Sequence, residues 1–193
     1  MITATFKIRG IAPYSQSRPH LEEQEPNEGH DDYRRRTWRA HLHVDKGGGV
    51  YIPPGSIKNC ISEAAKFLSI PIPGKGKSTY TKNVEAGTAC VRPVALGIQA
   101  DDVESETLFL PADGQRGFGK RVWKTYPVIP EWSGNAEIVV LDETILQTSR
   151  ITGNPVLQDI VEAAGQYIGL GRYRPRNNGH YGRFVVEDFQ VHR

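Results

Sequence analysis

Two apolar stripes of helical period constrain this chain more than any other feature. Over residues 56–68, Ile57, Cys60, Ile61, Ala64, Ala65 and Leu68 recur at three- and four-residue intervals, with Lys58, Asn59, Ser62, Glu63 and Lys66 between them. Over residues 155–168, Val156, Leu157, Ile160, Val161, Ala164, Tyr167 and Ile168 do the same; Asn154 is the expected cap, Pro155 the first helical residue and Gly169 the end. Such a stripe is stable only when another surface covers it. Strand patterns offer that surface. Residues 2–11 alternate Ile2, Ala4, Phe6 and Ile8 with Thr3, Thr5, Lys7 and Arg9, and residues 183–191 alternate Phe184, Val186 and Asp188 with Val185, Glu187 and Phe189. Between the helices, residues 90–98, 108–110, 122–129 and 136–141 are strand-like, and the last two read as an antiparallel pair joined around Pro130 and Gly134.

The order strand, helix, several strands, helix, strand predicts an α+β fold: two helices on an antiparallel sheet, a ferredoxin-like or RRM-like core. A chain of 193 residues is expected to form one domain over 1–193, with loop insertions at 14–49 and 69–89. Residues 14–32 are polar and aperiodic, an excursion that orders with a partner. Residues 33–39 read as a helical turn carrying arginines, and 41–45 and 50–52 as short strands about a glycine turn. Residues 69–82 hold Lys75, Lys77 and Lys82 without an acid, and read as an exposed basic arm. Residues 113–121 form another glycine-rich basic turn.

Net charge is only +2, so distribution matters more than total. An acidic run from Glu22 to Asp32 precedes Arg34, Arg35, Arg36 and Arg39. Two cysteines, Cys60 and Cys90, without a secretion signal or an apolar span, predict a cytoplasmic chain with reduced thiols and no membrane association.

Enzyme motifs fail on context. Gly74-Lys75-Gly76-Lys77-Ser78 ends like a phosphate-binding loop, but its first glycine falls on Pro71 and it follows a helix. Gly169 and Gly171 lack the third glycine of a dinucleotide fingerprint. His41 and His43 share a strand face, yet no Cys or His follows at zinc spacing. No catalytic residue, cofactor or metal is assigned.

Residues 167–184 suit an anionic polymer better. Glycines alternate there with Arg172, Arg174, Arg176 and Arg183, beside Tyr173, His180 and Tyr181, with no acidic residue. Glycine admits close backbone approach, arginine a fork of donors, tyrosine a stacking face. Lys58 in the first turn of the first helix opposes the helix dipole, and a phosphate there, held also by the amides of Ser56, Ile57 and Lys58, would relieve the misfit.

The segment Ile52-Pro53-Pro54-Gly55-Ser56-Ile57-Lys58-Asn59 resembles the "I-P-G-S-S-L-K-G" signature opening the first helix in the RAMP superfamily of CRISPR proteins, particularly the backbone subunits that line guide RNA. Gly169-Leu170-Gly171-Arg172 and Gly179-His180-Tyr181-Gly182-Arg183-Phe184 resemble that superfamily's C-terminal glycine-rich loop and strand. Pro54 is additional here, and Asn59 stands where the family has glycine. The resemblance implies a short, stripped-down or phage-borne relative that binds single-stranded RNA or DNA and assembles side by side along it, or with other effector subunits. Ser56, Lys58, Arg172, Arg174, Arg176, His180, Tyr181 and Arg183 would line the strand, and Lys75, Lys77 and Lys82 would clamp it. Two alternatives stand beside this one: an endoribonuclease using His180, His41, His43 or the pair Asp31 and Asp32, and a protein-interaction subunit of a phage or defence complex.

Overall fold

The structure, a computed structural model, describes residues 1–112 and 119–193; most of the basic turn expected at 113–121 lies outside the described residues. Along the chain run β1 (Ile2–Gly10), α1 (His30–Thr37), β2 (Gly49–Ile52), α2 (Pro54–Leu68), α3 (Thr81–Gly87), β3 (Thr88–Ala89), β4 (Val94–Gln99), β5 (Glu104–Pro111), β6 (Arg121–Val128), β7 (Ser133–Val140), α4 (Val156–Ala163) and β8 (Phe184–His192). The main sheet has the order β3-β7-β1-β8 with every neighbouring pair antiparallel. The long helix α2 lies between β1 and β3, and α4 between β7 and β8. This is the ferredoxin-like α+β arrangement that the two stripes and the terminal strands predict.

Period-two patterning decides the faces. Ala4, Phe6 and Ile8 of β1 pair alongside Ile138, Ala136 and Gly134 of β7, and their apolar face joins Ile57, Cys60, Ile61 and Ala64 of α2 and Leu157, Ile160 and Val161 of α4 in one buried cluster. Each such aliphatic side chain contributes about 1.5–3 kcal/mol by leaving water. The opposite face is polar, with Glu187 of β8 held by Lys7 at 3.4 Å and by Arg9 at 2.6 Å.

Several local expectations need correction. Residues 122–129 do not pair with 136–141: β6 pairs with β5, and β7 is taken by β1 and β3. The apolar face of β7 belongs on the core, whereas β5 is disguised by Glu104, Ser105 and Glu106. Asn154 does not cap α4; Pro155 occupies that position with extended backbone, ψ 139°. The 69–89 segment is not all loop, since Ile70 and Tyr80 are buried, Pro71 bridges Thr79 and α3 follows. Residues 41–45 form no strand, only a bridge from Val44 to Val50. Nor is the start of the 14–32 excursion loose: Tyr14, Ser15 and Gln16 are buried. Finally, alternation in β8 breaks at Asp188, whose φ of +53° makes a bulge, and the phase shift turns Phe189 onto Phe6, ring centroids 5.9 Å apart.

Candidate nucleic-acid interface

The glycine-rich loop after α4 is a fixed piece of backbone clamped to the segment leaving β1. Leu170 N–H donates to Gly182 O at 2.9 Å, Gly182 N–H to Pro13 O at 2.7 Å and Arg172 N–H to Ser15 O at 2.9 Å. Gly171 has φ +72°, and a Cβ there would lie 2.2 Å from Ser15 O and 2.7 Å from the Tyr14 ring. Only glycine allows this approach, and it aims the next side chain, Arg172, outward.

Arg172 is the hub between the loop and the β5–β6 hairpin. Its guanidinium carbon sits 3.2 Å from the centroid of the Tyr126 ring on β6 and 4.9 Å from that of Tyr173. Among the described residues no carboxylate lies within ion-pair distance of it. Burial lowers its pKa, though an arginine so placed stays charged. A second tie joins the loop to the same hairpin: the Tyr181 hydroxyl donates to Glu106 Oε2 at 2.8 Å. Burial first, and then the Glu106 carboxylate, push Tyr181 up to about 12.

Between α2, the loop and the hairpin runs a groove in two joined halves that share Ser17, Gly171 and Asn177. The half against α2, about 330 Å³, is lined by Arg18, His43, Ser56, Asn59, Glu63 and Arg174 among others. The half against the hairpin, about 740 Å³, is lined by Arg121, Lys124, Tyr126, Arg172 and Tyr173. Among the described residues, five cations, Arg18, Arg121, Lys124, Arg172 and Arg174, line the groove with one carboxylate, Glu63. His43 has its pKa lowered, by burial and then by Arg18, so it adds no charge at neutral pH. Buried Gln16 frames this half, accepting from His43 N–H at 2.6 Å and donating to Tyr51 O at 2.8 Å.

Of the residues expected from sequence, Ser56, Arg172 and Arg174 line this groove. Arg174 and Arg176 share Glu63, at 3.3 and 3.6 Å, with Arg176 on the neighbouring cleft. Lys58 points elsewhere: its ammonium donates to Val84 O at 2.9 Å, Glu85 O at 2.9 Å and Thr88 Oγ1 at 2.7 Å, closing the C-terminal end of α3. The amides of Ser56 and Ile57 also have an acceptor, Pro53 O, so the start of α2 offers no cradle of free donors of the expected kind. Tyr181 faces Glu106, and His180 packs edge-on against Tyr181 with ring centroids 4.7 Å apart. Neither they nor Arg183 line the groove, and neither half draws on Lys75, Lys77 or Lys82, which are exposed on the arm and on α3. Asp31 and Asp32 begin α1, where Asp32 pairs with Arg35 at 3.5 Å.

Sequence reading missed Arg18, Lys124 and Tyr126. The last two had a signal, because Lys124 and Tyr126 stand two apart on one strand and therefore share a face.

Among the described residues, no helix is long and apolar enough to cross a membrane. No family model and no curated protein matches the sequence. Comparison with solved structures does find the fold. A chain in the cryo-EM structure of the Type III-B Cmr-beta bound to cognate target RNA superposes with a TM-score of 0.55 at 11% identity. The match covers 98% of this chain and 60% of that one, so this protein spans less than two thirds of its neighbour, and what the two share is the α+β fold.

Proposed function

We propose that this protein binds single-stranded nucleic acid, RNA of guide type, along the groove between α2, the glycine-rich loop and the β5–β6 hairpin. It acts as a cytoplasmic subunit placed side by side with copies of itself or with other effector subunits along the strand. The observation that carries this reading is the charge balance of the groove among the described residues: five cations and one carboxylate, in a chain whose net charge is only +2. Arg172 supports it further, since a guanidinium stacked 3.2 Å over the Tyr126 ring, with no described carboxylate within ion-pair distance, offers donors to an incoming phosphate. The fold shared with a chain of an RNA-bound complex is consistent with it.

If all five cations meet phosphates, log K falls with log salt at a slope of about −3.5, from about −0.7 per phosphate on a single strand. Fluorescence anisotropy on labelled RNA over a salt series measures that slope. The triple variant Arg121→Ala, Arg172→Ala, Arg174→Ala should weaken binding and flatten the slope by about 2. Unchanged affinity and slope in that variant would refute the groove as the binding site. Incubating the same RNA with and without EDTA separates binding from cleavage, and a pure binder leaves it intact in both.

A further inference from the structure

Beyond Glu63 the groove leads to a further cleft, of about 480 Å³, lined by Glu63, Lys66, Phe67, Tyr167, Pro175 and Arg176. Its walls carry two large aromatic rings in solvent, Phe67 at 61% exposure and Tyr167 at 44%, with centroids 5.2 Å apart and planes inclined by 36°. A pair of exposed aromatics on helices whose other faces are well buried is not explained by the core.

Tyr167 is outside because the last turn of its helix is wider than α. Three α-turns on from Val156, Tyr167 would fall back on the buried stripe. Instead α4 opens into a π-helical turn over Ala164–Ile168, closed by Gly169 N–H donating to Ala164 O at 2.8 Å. The extra residue leaves Ile168 in the core at 1% exposure and swings Tyr167 out beside Phe67. Two features hold the turn in place. The Cys60 thiol donates to Ala164 O and Gly169 O, at 3.5 and 3.3 Å, and Gly165 is so close to β8 that a Cβ would lie 2.2 Å from Phe184 O. Single π-turns of this kind occur preferentially at functional sites.

Charge marks the occupant. Arg176 is 62% exposed beside the rings and is tied through Glu63 to Arg174, which lines the groove. A backbone phosphate leaving the groove therefore meets Arg176 just where a base meets Phe67 and Tyr167.

Resting on the function proposed above, we propose that Phe67 and Tyr167 form a stacking subsite for an unpaired nucleobase at the α2 end of the groove, with Arg176 holding the adjoining phosphate. Its test compares a fluorescein-labelled single-stranded RNA with an abasic oligomer of the same length and backbone. Wild type should bind the base-bearing strand more tightly. Phe67→Ala with Tyr167→Ala should lose roughly 5- to 150-fold on that strand, the range for one stacked base, with an unchanged salt slope and no loss on the abasic strand. Tyr167→Phe should retain wild-type affinity, and Arg176→Ala should flatten the slope by about 0.7. Equal losses on both strands, or none on either, overturn the subsite while leaving the groove standing. Failure of wild type to bind any RNA overturns both. Loss of self-association by the alanine pair in sedimentation without RNA, with RNA affinity intact, also overturns the subsite and gives the rings to a protein contact.

Discussion

Lys58→Met separates the two roles open to the lysine that sequence reading placed on phosphate. In the fold its ammonium makes three hydrogen bonds, to Val84 O, Glu85 O and Thr88 Oγ1. The first two acceptors are carbonyls in the last turn of α3, where the helix dipole is negative and a cation is favoured. A hydrogen bond to a charged group nets about 1.5–3 kcal/mol. The three are not additive, because the side chain is only half-buried and water reaches part of what methionine vacates. Methionine also keeps most of the aliphatic stem. A total loss of about 2–3 kcal/mol is expected, near the upper end for one such bond. With an m-value of about 2–3 kcal/mol/M in urea, the midpoint should fall by about 1 M. RNA affinity and salt slope, measured where the variant is fully folded, should match wild type. An unchanged midpoint together with a slope flattened by about 0.7 would refute the structural role and return Lys58 to the phosphate.

Gly171→Ala should destabilise the loop by about 2–4 kcal/mol and weaken RNA binding, since a Cβ meets Ser15 O and the Tyr14 ring at a positive φ; a variant with wild-type melting and affinity would show that the approach of Tyr14 and Ser15 is not what aims Arg172. Glu28 should titrate at about 2, held down chiefly by its hydrogen bond to Arg36. Its folded pKa lies below the unfolded one, so the stability it contributes is present above about 4.5 and lost as pH falls through about 2. Carboxyl NMR of wild type and Arg36→Met reads this directly: Glu28 should return to the ordinary carboxylate range in the variant, and a wild-type value near 4.5 would mean that the acidic segment is not held against α1.

Legibility tracked the range of the interactions. Stripes and alternation report local periodicity against a core, so α2, α4 and β1 were readable from Ile57 to Leu68, Val156 to Ile160 and Ile2 to Ile8. What periodicity cannot carry is a choice between partners. The run 122–129 and the run 136–141 are both strand-like, and only the long-range demand of β1 for a neighbour sends β7 into the main sheet and leaves β6 to β5. Single-residue departures are equally silent. The bulge at Asp188 and the π-turn at Ala164–Ile168 each add one residue and rotate the chain beyond it, which moved Phe189 inward and Tyr167 outward against expectation. Lys58 was misassigned for a related reason, because its misfit with its own helix is relieved by the end of another helix, α3, that carries no strong sequence signal.

One wall of the groove is the core helix α2, with Ser56, Asn59 and Glu63, and the rest comes from segments that leave the core. Ser17 and Arg18 come after the exit of β1, Tyr126 and Lys124 belong to the inserted hairpin, and Arg172 and Arg174 to the loop between α4 and β8. Three segments remote in sequence are tied there by polar and stacking contacts: Arg172 on Tyr126, Tyr181 on Glu106, and Arg172 N–H on Ser15 O. A polyanion laid along the groove would engage all three segments at once and add its binding energy to those contacts. The hairpin and the 14–32 excursion should therefore gain more hydrogen-exchange protection on RNA binding than β1 or α2, and protection rising uniformly over the whole chain would argue against a groove assembled from these segments.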